Sequence, residues 1–207
     1  MDQRMTEYPP EPWHLAADAC LSMWRVPADE LPALPAGAEP LLLNHQAALF
    51  TAWIDYLPSG QLSYHELLSC VAVRGRGLAA SITDIWVDSE ISRAGGRELW
   101  GIPKELAAFT FTGGRTFTAA TSDDWIATAA FTPRVGLPIT LPVRFEIAQD
   151  RGGRPLRTPV EWRSKPRAAA ADWSVNPAGP LGFLAGKRPV ASMALGATRL
   201  RFGSCPR

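Results

Sequence analysis

Nineteen prolines and seventeen glycines are spread along the 207 residues and cut the chain into short segments. Proline breaks helix interiors and glycine weakens them, so a chain punctuated this way favours strands and turns over long helices. The segments between the breaks read as strands: Trp13–Trp24, Leu41–Tyr56, Ser63–Arg74, Leu78–Val87, Ala107–Thr118, Trp125–Phe131, Val143–Gln149, Pro159–Arg163 and Val190–Phe202. Turn signals separate them, among them PSG at 58–60, RGRG at 74–77, TSDD at 121–124 and DRGG at 150–153. In FTFTGGRTFTA, Phe and Thr alternate with period two around Gly113-Gly114, the pattern of a hairpin. Helix signals are few. Asp29–Leu34 predicts a short helix after Pro27, Asp88 or Ser89 caps one running to about Leu99, and Ala168–Trp173 predicts one more turn. Gly95-Gly96 weakens the second of these on propensity, which points to a packing reason for the pair. The expected fold is α+β and β-rich: an antiparallel closed or cone-like β-barrel with a few short helices, as a single domain over residues 1–207.

Charge excludes several classes of partner. The formal net charge is +1, which gives no electrostatic argument for nucleic acid or a membrane surface. No run of eighteen apolar residues occurs, and the opening MDQRMTEYPPEPW lacks an apolar signal core. Cys20, Cys70 and Cys205 are far apart and odd in number, which fits free thiols in a reducing cytoplasm rather than a disulfide framework. Residues 151–167 carry five arginines and Lys165 against Glu161 alone, the composition of a solvated hairpin face.

The search for chemistry returns little of the common kind. His14, His45 and His65 have no metal-ligand spacing, so no metal is expected. His65 sits in an alternating apolar strand, where a hydrogen-bonded structural histidine is the expectation. There is no Walker loop, GxGxxG or GxSxG. Asp123-Asp124 reads as a solvated turn. What remains is Lys104, one of three lysines against eighteen arginines, between Ile102-Pro103 and the apolar Leu106–Phe109. Pro103 stiffens the approach to it and pushes Ile102 toward an extended conformation. Taken alone, the position suits a solvated lysine as well as a functional one.

The stretch VDSEISRAGGRELWGIPKEL, residues 87–106, resembles the acetoacetate decarboxylase superfamily without a gap, with Asp88, Glu90, Gly96, Arg97, Glu98, Pro103 and Lys104 matching. Ser63-Tyr64-His65-Glu66, after the Pro58-Ser59-Gly60 turn, is similar to that family's S/C-Y-T-E, and Ser22–Pro27 to a segment near its N-terminus. The likeness covers about residues 12–132. The resemblance implies that Lys104 attacks a ketone to form a Schiff base, an electron sink for C–C cleavage, and that Glu66 handles protons near it. It implies no cofactor, because the protein's own amine supplies the sink. A free lysine, with a pKa near 10.4, is only ~0.04% neutral at pH 7, so such a nucleophile needs ~4–5 kcal/mol of help. The resemblance further implies a keto acid or ketone substrate, a cytoplasmic enzyme and a homo-oligomer. Tyr64, Trp100, Arg25 and Arg97 are the candidates for substrate binding; Arg25 or Arg97 would hold a substrate carboxylate or brace the fold.

The chain also departs from the family pattern. Where the decarboxylases carry a second lysine after the nucleophile, it has Glu105. An ionised Glu105 close by would raise the Lys104 pKa; if residues 104–109 are extended, it faces away. A second family acid falls on Thr51, and a family arginine falls within Ala16-Ala17-Asp18. The expected pocket is thus more apolar, for a larger or less charged substrate, possible in specialised metabolism. The leading reading is a lyase that decarboxylates or performs aldol or dehydration chemistry through an imine. The alternatives are a cyclase or pericyclase that shapes an apolar substrate without an imine, and a non-catalytic ligand-binding barrel.

Overall fold

Side chains along Tyr64–Ala72 alternate between two apolar environments. Tyr64, Glu66, Leu68 and Cys70 face one; Leu67 and Val71 face the other. A strand covered on both faces by the same sheet's other strands requires that sheet to curl. The computed structural model describes residues 7–136 and 139–204. In order along the chain these form β1 (Trp13–Pro27), β2 (Leu42–Leu43), β3 (Gln46–Tyr56), β4 (Tyr64–Ala72), β5 (Ala79–Val87), α1 (Glu90–Trp100), β6 (Lys104–Leu106), β7 (Ala108–Thr112), β8 (Thr116–Ala120), β9 (Trp125–Pro133), β10 (Leu141–Asp150), β11 (Pro155–Val175) and β12 (Ala191–Phe202). Single 3₁₀ turns lie at Ala28–Glu30 and Gly182–Leu184.

All twelve strands belong to one sheet. Its pairings run β5–β4–β3–β1–β12–β11–β10, and β10 returns to β5 through a short parallel contact of Glu146 and Ile147 with Ala79 and Ala80. Beyond that circuit, β11 continues past Lys165 to pair with β9, which carries the β8–β7 hairpin. Two apolar clusters follow. One lies among the circuit strands and α1, around Trp13, Ile54, Tyr56, Tyr64, Ile85 and Trp100. The other lies between the sheet's opposite face and β7–β9, around Trp24, Trp53, Phe117 and Phe131. Trp53 stacks on Phe117 and Trp173 there, with ring centroids 5.6 and 5.7 Å apart.

The β-rich reading with few helices holds, with four differences. The pairing is not wholly antiparallel: β5 pairs in parallel with β6, because α1 carries the chain back to run alongside β5 in the same direction, and also in parallel with β10 where the circuit meets. Ala168–Trp173 is strand, not a helical turn. These residues lie in β11 between β9 and β12, and those pairings override the alanines' helix preference. Asp29–Leu34 shrinks to the 3₁₀ turn, since Pro32 holds Leu31 extended at ψ 142°. Leu41–Tyr56 breaks at Asn44 and His45, both left-handed, which turn β2 back onto β3. The hairpin at Gly113-Gly114 forms as expected, with Thr112 opposite Thr116 and both glycines at positive φ. Among the described residues no helix is long and apolar enough to cross a membrane. The first six residues and Cys205 lie outside the described residues.

Candidate active site

Lys104 begins β6, and its position is set locally. Ser89 caps α1 by accepting from the Ser92 amide at 3.2 Å. At the other end Gly101 is left-handed at φ 64°; its amide donates to Arg97 O and that of Ile102 to Gly96 O, closing the last turn. A side chain at Gly101 would also strike the Asp150 carbonyl. Pro103 then blocks any helical continuation, and the chain leaves as β6 beside β5, with Lys104 opposite Ile85. The helical glycines have the packing reason expected of them. A Cβ on Gly95 would stand 2.5 Å from the Trp13 ring, and one on Gly96 2.8 Å from Lys104 Cδ. Gly96 is the slot in which the lysine's aliphatic stem lies.

Glu66 reaches Lys104 from the far side of β5. It sits on β4 opposite Val87, while Lys104 sits on β6, and both side chains point to the same face. Lys104 Nζ donates to Glu66 Oε2 at 2.8 Å, to Ser92 Oγ at 2.9 Å and, weakly, to Tyr64 OH at 3.4 Å. Tyr56 OH donates to Glu66 Oε1 at 3.2 Å, and the Tyr56 and Tyr64 rings stack 4.3 Å apart. Lys104 is 4% exposed and Glu66 2%, so the ion pair is buried. Burial alone would lower the lysine's pKa, but Glu66 and Tyr64 outweigh it and hold the ammonium above its ordinary 10.5. Burial pushes Tyr64 up to about 12 and Tyr56 well above its usual value, so both phenols stay protonated at neutral pH. The surroundings thus favour the ammonium form of Lys104, whereas a nucleophile needs the free amine.

The pair opens onto a cavity of about 120 Å³ to which all seven circuit strands and α1 contribute side chains. Its lining is apolar apart from the pair, the two tyrosines and Cys70, with Trp13, Trp100 and Trp162 the largest walls. Among the described residues Lys104 is the one cation there and Glu66 the one carboxylate. The apolar character agrees with the sequence; the volume does not, because a cavity of ~150 Å³ holds benzene and this one is no larger.

Of the predicted site residues, Lys104, Glu66, Tyr64 and Trp100 meet at this cavity. Trp100 also donates to Glu11 Oε2 at 2.9 Å. Arg25 and Arg97 do not line it and hold no ligand carboxylate there. Arg25 is exposed on β1, where the residues on either side of it, Trp24 and Val26, are buried. Arg97 lies outside and braces: its Nε donates to the Lys104 carbonyl at 2.7 Å and its guanidinium pairs with Glu105. Glu105 is thus exposed and turned away from Lys104, as strand alternation places it. Thr51 faces the other cluster, accepting from Trp24 Nε1 at 2.9 Å. His65 also faces away, with Nδ1 2.6 Å from Asp88 Oδ2. Sequence reasoning missed Ser92 and Tyr56. Ser92 stands one helical turn before Gly96, a polar residue sharing the face that accommodates Lys104. Tyr56 stands on β3 opposite Tyr64, and nothing local marks it.

The α1–β6 turn places a buried lysine–glutamate pair at the wall of an apolar cavity. The family profile described as acetoacetate decarboxylase (ADC) matches residues 2–169, well beyond the segment in which the resemblance was legible. The chain belongs to the acetoacetate decarboxylase family. Three solved structures share its fold. Acetoacetate decarboxylase from Legionella pneumophila subsp. pneumophila str. Philadelphia 1 has a TM-score of 0.72 at 20% identity, over 95% of this chain and 86% of that one. The enduracididine biosynthesis enzyme MppR, complexed with the condensation product of pyruvate and imidazole 4-carboxaldehyde, scores 0.69 at 18%, over 99% and 91%. An acetoacetate decarboxylase-like enzyme from Sphingomonas wittichii RW1 scores 0.64 at 18%, over 95% and 92%. No curated protein gives a significant match.

Proposed function

We propose that the protein is a Schiff-base-forming lyase for a small keto acid or ketone, with Lys104 as nucleophile and Glu66 as proton carrier. The observation that supports this is the burial of Lys104 Nζ 2.8 Å from Glu66 at the wall of an apolar cavity. We read the seven-strand circuit as a closed barrel that keeps water from that cavity.

The raised lysine pKa shapes the mechanism. Glu66 takes one ammonium proton across their hydrogen bond, and the freed amine adds to the substrate carbonyl. A C–N bond forms, the C=O π bond breaks, and the oxygen takes a proton from the newly cationic nitrogen. Glu66 then returns its proton to the departing hydroxyl, which leaves as water, and a protonated imine remains on Lys104. The total charge is unchanged, so no proton crosses to bulk solvent. Ser92 and Tyr64, both on Nζ, orient the amine; Tyr56 steadies Glu66. The imine then serves decarboxylation or aldol and dehydration chemistry. The fold shared with the decarboxylases favours the first, and the MppR condensation product favours the second.

The test is borohydride trapping with a panel of keto acids and ketones, read by intact mass and peptide mapping. The expected result is a reduced adduct on Lys104 that vanishes in Lys104→Ala. No adduct with any member, or one that persists in Lys104→Ala, overturns the proposal.

A further inference from the structure

Trp162 lies on β11 opposite Val143 and Leu200, and its ring forms part of the cavity wall. Its indole Nε1 is buried and meets no acceptor among the described residues. A buried N–H without a partner is rare, and a ligand oxygen or a water is what completes it. The same cavity is short of positive charge. Its one cation, Lys104, is already paired with Glu66, and the two candidate arginines, Arg25 and Arg97, do not line it. A substrate carboxylate placed here would leave a net negative charge in an apolar enclosure with no counter-ion. Its cost would persist in the imine, because the ammonium becomes an iminium of the same charge.

We infer that the Lys104 cavity selects an uncharged carbonyl compound of about six non-hydrogen atoms, a small ketone or aldehyde, over a keto acid, and that the Trp162 indole N–H holds a second, neutral acceptor oxygen of that ligand. The inference rests on the Schiff-base reading and narrows its substrate class. An uncharged ketone can form the imine and lose an α-proton to Glu66, giving an enamine. The C–H pair becomes the C=C bond, the iminium nitrogen is neutralised, and reprotonation from Glu66 reverses the step. Proton exchange at the α-carbon is then the simplest turnover, and decarboxylation has no carboxylate to act on.

Isosteric pairs test the charge preference: 3-methyl-2-butanone against pyruvate, and 4-methyl-2-pentanone against acetoacetate. Each is trapped with borohydride at equal concentration and normalised to its adduct yield with a free model amine. The neutral member of each pair is expected to label Lys104 at least tenfold better. The neutral ketones are also expected to exchange their α-protons in D₂O with the enzyme and not with Lys104→Ala. Hydroxyacetone against 2-butanone tests Trp162, since they differ by one acceptor oxygen. Trp162→Phe is expected to cut the hydroxyacetone yield about tenfold relative to the 2-butanone yield, the value of one buried hydrogen bond. The melting temperature confirms that this variant folds. Equal or better labelling of Lys104 by the keto acids overturns the charge preference and leaves the Schiff-base reading standing. An unchanged hydroxyacetone ratio in Trp162→Phe overturns the assignment to the indole. No Lys104 adduct from any probe overturns both readings.

Discussion

At the scale of single residues the site turns on two opposed effects on one amine. Burial lowers the Lys104 pKa, and Glu66 with Tyr64 raises it further than burial lowers it. Glu66→Gln removes the group that raises the lysine pKa most and leaves burial dominant. The expected outcome is a lower lysine pKa, a loss of about 3 kcal/mol in urea unfolding, and imine formation slowed about 100-fold in single turnover for want of a proton carrier. The pair also has a pH signature. A lysine whose folded pKa lies above its unfolded one adds stability that is complete below the unfolded value and fades as pH rises through the folded value. The difference in unfolding free energy between wild type and a Lys104→Met/Glu66→Gln double variant should be flat through neutrality to pH 10.5 and fall only beyond it. A difference that already declines between pH 6 and 8 would show that the pair is not ionised at rest. Lys104 and Glu66 were legible because a contiguous motif carries each of them. Ser92 and Tyr56 were not, because their roles depend on which strands and helix face a common interior, and no spacing in the chain records that.

At the scale of elements, α1 and β6 act as one device. The helix brings Ser92 under the ammonium, its Gly96 makes room for the lysine stem, and Gly101 and Pro103 turn the chain so that Lys104 points inward. Gly96→Ala separates fold from function. Alanine favours a helix by about 1 kcal/mol over glycine, but its methyl would stand 2.8 Å from Lys104 Cδ and displace the amine. Stability should stay within about 1 kcal/mol of wild type, while borohydride labelling of Lys104 falls at least tenfold, roughly the effect of misplacing a reacting atom by an ångström. Comparing thermal melts with adduct yields checks this. The helix was legible from the capping signal at Asp88-Ser89. The strand over Ala168–Trp173 was not, because an alanine run states a local preference and the flanking strands β9 and β12 decide the outcome.

At the scale of the whole molecule, the weakest join in the circuit is the two-residue pairing of β5 with β10. Buried Gln149 reinforces it, its side-chain amide donating to Ile82 O at 2.9 Å across the same seam. Gln149→Leu should cost about 1–2 kcal/mol in urea unfolding and raise amide exchange along β5 and β10 before the β1–β12 pair. Uniform exchange across the sheet would mean that the seam is no weaker than the rest. The strands themselves could be read from alternation and turn residues. Their closing contact could not, since a pairing of two residues between segments some 67 positions apart leaves no periodic trace. The two separate interiors have an optical consequence. Trp13, Trp100 and Trp162 wall the cavity, while Trp24, Trp53 and Trp173 report on the second cluster. A ligand that enters should alter the emission of the first three and leave the others dark to the event, so the native chain carries its own unlabelled binding indicator.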